Sequence, residues 1–245
     1  MATVQINGRR IPVQAVFFDK DGTLIDFSSI WLPWAQHLMT VFPDQMSGND
    51  AEKSLGISLA NGTVDPEGPL AIGSMQDVRS ILANVLYVHG KPWHRAFHEV
   101  IERMDHLDET ADHLRNLQPV EGAHEFLRSL KNSGVKTAVV TADDSKTAAA
   151  HLQKLGIDRC FDTVIGADEV KRTKPYPDMV KLAAERLDVR LEETMMIGDT
   201  NSDMIVGRRG RMCSTVGIVT YADSAAHLTE ADFTVSSYHE LTCKS

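Results

Sequence analysis

Apolar, β-prone runs recur along this chain and alternate with segments of helical periodicity. The clearest runs are residues 14–18, 136–140 and 194–197, which give way to Asp19, Thr141 and Gly198. Residues 161–165, 215–219 and 232–235 repeat the pattern more weakly. The three clear runs are continuous rather than alternating, as expected for parallel strands covered by helices on both faces. Between runs, residues 121–133 set Ala123, Phe126, Leu127 and Leu130 at helical spacing and end at Gly134, a helix-stop signal. Residues 145–155 end at Gly156 in the same way, and 179–187 form a third such segment. This order predicts an α/β sandwich with a central parallel sheet.

Residues 27–115 break the pattern. Helical periodicity runs through 30–42, 74–86 and 93–107, a Gly- and Pro-containing polar loop occupies 61–73, and all three tryptophans fall here. The expected organisation is therefore an α/β core from residues 1–26 and 116–245, interrupted by a helical insertion over 27–115. With 42% hydrophobic residues in 245, a real core is affordable. The formal charge of −9 offers no electrostatic footprint for nucleic acid or an anionic membrane. No run reaches the length of a membrane span, and the apolar stretch after Arg9-Arg10 is too short for an export signal. Three cysteines without C-x-x-C spacing argue against a disulfide framework or zinc, so a cytoplasmic location is expected.

Ligands of an open parallel sheet bind beyond the carboxyl ends of its strands, and the polar residues gather there. The first run ends in Asp19-Lys20-Asp21-Gly22-Thr23, the second in Thr141-Ala142-Asp143, and the third in Gly198-Asp199-Thr200-Asn201-Ser202-Asp203. A helix cap would account for Thr141 alone, and for Asp199 alone, but not for Asp199 with Asp203. Lys171-Arg172-Thr173-Lys174-Pro175 concentrates cations in an acidic chain, and the prolines at 175 and 177 restrict where Lys174 can sit. Asp19, Asp21, Asp199 and Asp203 cannot share one site without a cation, and oxygen-only ligands suit Mg²⁺. A metal, a fixed lysine and a hydroxyl make a phosphoryl-binding set, with a carboxylate to attack.

These four segments, in this order, resemble the four motifs of the haloacid dehalogenase-like superfamily. The resemblance spans nearly the whole chain and implies a Rossmann-like three-layer core with the insertion acting as a helical cap. It further implies that Asp19 is the nucleophile and that Asp21 protonates the leaving oxygen and then activates water. Mg²⁺ would sit on Asp19, the Asp21 carbonyl and Asp199, with Asp203 supporting the metal shell. Thr141 and the Ala142 amide would bind the phosphoryl group, and Lys174 would offset charge between nucleophile and phosphate. Asp21 sets the chain apart from the superfamily's dehalogenases, which lack that acid, and from its transport ATPases, which carry threonine there. The layout is most similar to phosphoglycolate phosphatases and their relatives, which implies hydrolysis of a small phosphorylated metabolite, 2-phosphoglycolate first. A sugar-phosphate phosphomutase and a catalytically silent phosphate-binding protein are the alternatives.

Within the insertion, residues 61–74 are the expected specificity loop, leading to a helix N-terminus near Gly73-Ser74, with Arg79 and Lys91 as charged partners for a substrate carboxylate. His94 and His98 share i, i+4 spacing, but nothing completes a zinc pattern, and exposed helix positions explain them.

Overall fold

The computed structural model describes residues 1–42, 48–110, 116–220 and 225–244. In chain order it opens with strands β1 (Thr3–Ile6), β2 (Arg9–Pro12) and β3 (Ala15–Phe18). Next come α1 (Phe27–Val41), α2 (Gly48–Leu55), β4 (Ile57–Ser58), β5 (Thr63–Val64), α3 (Pro69–Ile72), α4 (Met75–Val88) and α5 (Trp93–Thr110). The remainder runs α6 (Ala123–Asn132), β6 (Lys136–Val140), α7 (Ser145–Lys154), β7 (Thr163–Ile165), α8 (Asp178–Leu187), β8 (Thr194–Gly198), α9 (Asn201–Gly210), β9 (Ser214–Ile218), β10 (Phe233–Val235) and β11 (Leu241–Lys244).

Two compact units emerge, one from residues 1–27 with 117–245 and one from 28–116. The first is built on a six-stranded sheet in the order β10-β9-β8-β3-β6-β7, parallel throughout. The α/β sandwich expected from the alternating runs is therefore the fold. The chain starts at central β3, moves outward through β6 and β7, then returns to the other side of β3 for β8, β9 and β10. That reversal opens the crevice beyond the strand ends in which such sheets bind ligands. Phe18 pairs with Val139 on one side and Ile197 on the other, so Asp19, Val140 and Gly198 are the next residues out on three adjacent strands.

All four residues of β3 are buried, as a strand covered on both faces requires. On one face Phe17, Ala138, Val140, Ile165 and Met196 pack against Met179, Val180 and Ala183 of α8. On the other, Phe18 meets Phe126 of α6 edge-on at 6.3 Å between centroids. Helix α6 buries Ala123, Phe126, Leu127 and Leu130 while its other positions stay largely wet. Each large apolar side chain so buried contributes about 2 kcal/mol of transfer free energy. Gly134, at φ +70°, ends this segment in a left-handed conformation that a side chain would strain.

The runs read as strands from the sequence leave out a second sheet, antiparallel, in the order β11-β1-β2. Asn7 and Gly8 turn between β1 and β2 at φ 49° and 79°, and β1 then pairs Thr3 with Lys244 near the end of the described chain.

In the second unit, α4 and α5 bury Val78, Leu82, Val85 and Leu86 and, respectively, Ala96, Val100, Met104 and Leu107. The stretch expected as a loop over 61–73 is partly ordered: β5 pairs with β4, and the short α3 follows. Gly56 and Gly68 approach so closely that a Cβ on Gly68 would lie 3.1 Å from the Gly56 Cα. No helix among the described residues is long and apolar enough to cross a membrane.

Candidate active site

Asp19 leaves the end of β3 with its amide donating to the Ile197 carbonyl at 2.9 Å. Its carboxylate Oδ1 lies 2.5 Å from Lys174 Nζ, and the same ammonium reaches Asp203 Oδ1 at 2.7 Å. Lys174 arrives from a loop between β7 and α8, 155 residues from Asp19 in the chain. The loop is held by Arg209, which donates to the Pro175 carbonyl at 3.1 Å, while the guanidinium groups of Arg172 and Arg209 lie over the Tyr176 ring at 4.9 and 5.5 Å.

Asp203 is wholly buried in the first turn of α9. Its Oδ2 accepts from the Thr200 amide at 3.2 Å and hydroxyl at 2.7 Å, closing a capping box. Thr200 caps the helix, so a capping role does not account for Asp199. Asp199, one position earlier, accepts from the Thr23 hydroxyl at 2.8 Å on Oδ1. Gly198 makes the approach feasible: a Cβ there would meet the Asp203 Cβ at 2.3 Å. His227 Nε2 lies 3.1 Å from the Asp199 carbonyl, and the Tyr238 hydroxyl donates to the Thr23 carbonyl at 3.0 Å. Neither residue stood out in the sequence, because these contacts join positions far apart in the chain.

Asp19, Asp199 and Asp203 each offer a carboxylate oxygen, and these atoms lie within 4.8 Å of one another. Asp21 does not join that cluster; its carboxylate pairs with Lys20, and the backbone turns over Gly22 at φ +74°. Thr141 is buried at the end of β6, donating its amide to the Ile165 carbonyl at 3.0 Å and accepting from the Asp143 amide at 3.2 Å. Ala142, beside it, is exposed.

Burial pushes the Asp19 carboxyl up to about 7, against the pull of the Lys174 ammonium and with a further push from Asp203. Burial works against the charge on Lys174, but Asp19 and Asp203 outweigh it and hold the ammonium above its ordinary value. Three buried carboxylates clustered together, two of them on one lysine, leave an excess of negative charge in an oxygen-only donor set. That fits a hard divalent cation and not a soft one.

In the insertion, α4 begins where the sequence placed a helix N-terminus, near Gly73-Ser74. Ser74 and Asp77 form a capping box at the start of α4, so a carboxylate already occupies that helix terminus. Arg79 pairs with Asp105 at 3.2 Å, and Lys91 pairs with Glu99. Each of the charged partners assigned to a substrate therefore has an acidic partner within its own unit. His94 and His98 are exposed on α5.

Comparison with known proteins places these features in a family. The chain is 26% identical to Pyrophosphatase PpaX of Halalkalibacterium halodurans over 233 residues, covering 94% of this chain and 95% of that one. A structure described as a predicted phosphoglycolate phosphatase of Haemophilus somnus matches with a TM-score of 0.72 at 18% identity, over 92% of this chain and 95% of that one. A β-phosphoglucomutase of Clostridium difficile matches with a TM-score of 0.62 at 22% identity, over 93% and 92%. At such identities the structural likeness is one of fold. The family model for haloacid dehalogenase-like hydrolases matches residues 13–210, and the chain belongs to that family.

Proposed function

We propose that this hydrolase is a Mg²⁺-dependent phosphatase that cleaves a small phosphorylated metabolite through an aspartyl-phosphate. The observation that carries the reading is the Lys174 ammonium 2.5 Å from Asp19 Oδ1, within a cluster of three buried carboxylates. With Oδ1 engaged, Oδ2 of Asp19 is left to attack phosphorus. The P–O bond to the leaving group then breaks, and Asp21 gives its proton to the departing oxygen. Asp21 next takes a proton from water; the water oxygen attacks the acyl phosphate, and the bond to Asp19 breaks to release inorganic phosphate. Thr141 and the Ala142 amide bind the equatorial oxygens. Asp19, Asp199 and the Asp21 carbonyl hold Mg²⁺, which when bound neutralises phosphate charge. Asp203 keeps Lys174 and the start of α9 in register with it.

The first candidate substrate is 2-phosphoglycolate, on the resemblance of the motif layout to phosphoglycolate phosphatases. A second, inorganic pyrophosphate, is favoured by the relative of that activity that aligns over 94% of the chain. Arg79 and Lys91, the cations assigned to a substrate carboxylate, each already meet an acid within the insertion. Phosphate release from a panel containing both compounds, with Mg²⁺ present, tests the reading. Release from at least one is expected. Interconversion of sugar phosphates with little release would favour a mutase, and silence on every compound would favour a binding protein.

A further inference from the structure

Lys20 is 0% exposed, and the proposed reaction makes no use of it. An apolar residue would continue the buried strand at this position, whereas an ammonium out of water costs several kcal/mol unless fully paired. Here the pairing is complete. An ammonium has three N–H groups, and three acceptors surround Nζ: Asp21 Oδ1, Asp143 Oδ2 at 3.1 Å and His151 Nδ1 at 3.1 Å. Because an ammonium only donates, His151 Nδ1 must accept, which puts the neutral ring's proton on Nε2.

The acceptors come from three elements: the turn after β3, the loop after β6, and α7. Two of them are themselves held. The Asp143 amide donates to Thr141 Oγ1 at 3.2 Å and its carbonyl accepts from the Ala167 amide at 2.8 Å, while His151 is buried in α7. Asp21 differs in being followed directly by a glycine at φ +74°, while its side chain is as exposed as that of Asp143. Tying Oδ1 of Asp21 to a fixed ammonium leaves Oδ2 as the oxygen presented to a substrate.

The geometry points to Lys20 as a positioning residue that, anchored by Asp143 and His151, aims the Asp21 carboxyl at the leaving oxygen. This rests on the phosphatase reading, in which Asp21 is the proton donor. A departing alkoxide needs that proton and a nitrophenolate does not, so the two leaving groups separate aim from mere folding. The parameter to compare is kcat/KM, which covers the steps through the first phosphoryl transfer.

In Lys20→Met, kcat/KM for 2-phosphoglycolate should fall about a hundredfold, the low end of what positioned proton transfer supplies, and that for 4-nitrophenyl phosphate by less than about threefold. In an Asp21→Ala background the same change should cost nothing more on 2-phosphoglycolate, because the group it aims is gone. Should Lys20→Met fail to fold by thermal melting, His151→Phe removes a single acceptor and should shift the ratio of the two kcat/KM values by about fivefold in the same direction. Equal losses on both esters, or no loss on either, would overturn the positioning role while leaving the phosphatase intact. A wild-type protein that hydrolyses pyrophosphate alone would overturn the positioning role, since no alkoxide departs. One that hydrolyses none of the three compounds would overturn the phosphatase reading, and this inference with it.

Discussion

Lys174 Nζ lies 2.7 Å from Asp203 Oδ1 in a pocket where Asp203 is 0% and Lys174 9% exposed. The contact joins the loop before α8 to the first turn of α9, and it sets the ammonium that also meets Asp19. Breaking a buried pair leaves an uncompensated charge, so Asp203→Ala should lower unfolding free energy by about 3 kcal/mol. It also removes the acceptor of the Thr200 cap. Denaturant titration checks the loss.

Lys174→Ala should weaken phosphate binding and slow turnover together. A charge that offsets repulsion in the bound state does the same in the transition state. Steady-state kinetics should show KM rising and kcat falling, whereas a change in one alone would place Lys174 elsewhere in the cycle.

Gly198→Ala is a steric test of the strand-end geometry. The added Cβ would lie 2.3 Å from Asp203 Cβ and 2.4 Å from its Cγ, with no flexible chain end to yield. A loss of about 2–3 kcal/mol in stability is expected, together with weaker cation binding as Asp199 and Asp203 shift. Calorimetry on the variant reads both.

Proton linkage at Asp19 follows from its raised value. In the metal-free protein the carboxyl titrates near 7, against 3.8 for an ordinary aspartate. Between those values the folded state holds a proton that the unfolded chain has lost. This group therefore stabilises the fold as pH falls through 7, and that contribution is lost as pH rises. A cation binding the carboxylate must displace the proton. Titration calorimetry at about pH 6 in buffers of different ionisation enthalpy should show proton release on Mg²⁺ binding, and little at about pH 8. Activity should vanish with a chelator, return with Mg²⁺ and be inhibited by Ca²⁺, whose longer bonds and higher coordination misplace the attacking carboxylate.

The core of this fold was legible because its signals are local. The continuous runs that became β3, β6 and β8 each carry their own hydrophobicity and their own polar stop, and the strand ends brought Asp19, Asp199 and Asp203 together. The β1–β2 hairpin carries a local signal too: Asn7-Gly8 is a strong short turn signal for a hairpin, flanked here by short strands. Its partner β11 does not, since pairing Thr3 with Lys244 leaves no local trace. Lys20 hid in plain view between two acids. Nothing near it in the chain says that Asp143 and His151 complete its shell. In the insertion the helix start near Gly73-Ser74 was legible from its local signals, whereas the pairing of Arg79 with Asp105 and of Lys91 with Glu99 depends on how the helices pack.

The central claim is that Asp19 carries the phosphoryl group. The protein should be mixed with 2-phosphoglycolate and, separately, with pyrophosphate in the presence of Mg²⁺, quenched in acid within milliseconds, digested and examined by mass spectrometry. A hydroxylamine-labile phosphoryl adduct on the peptide containing Asp19 is the predicted result. The adduct should be absent in Asp19→Asn, whose turnover should fall at least about a thousandfold, or roughly 4 kcal/mol in barrier, while the fold survives. Phosphate release with no adduct on that peptide, or an Asp19→Asn variant that keeps a tenth of the activity, would contradict it.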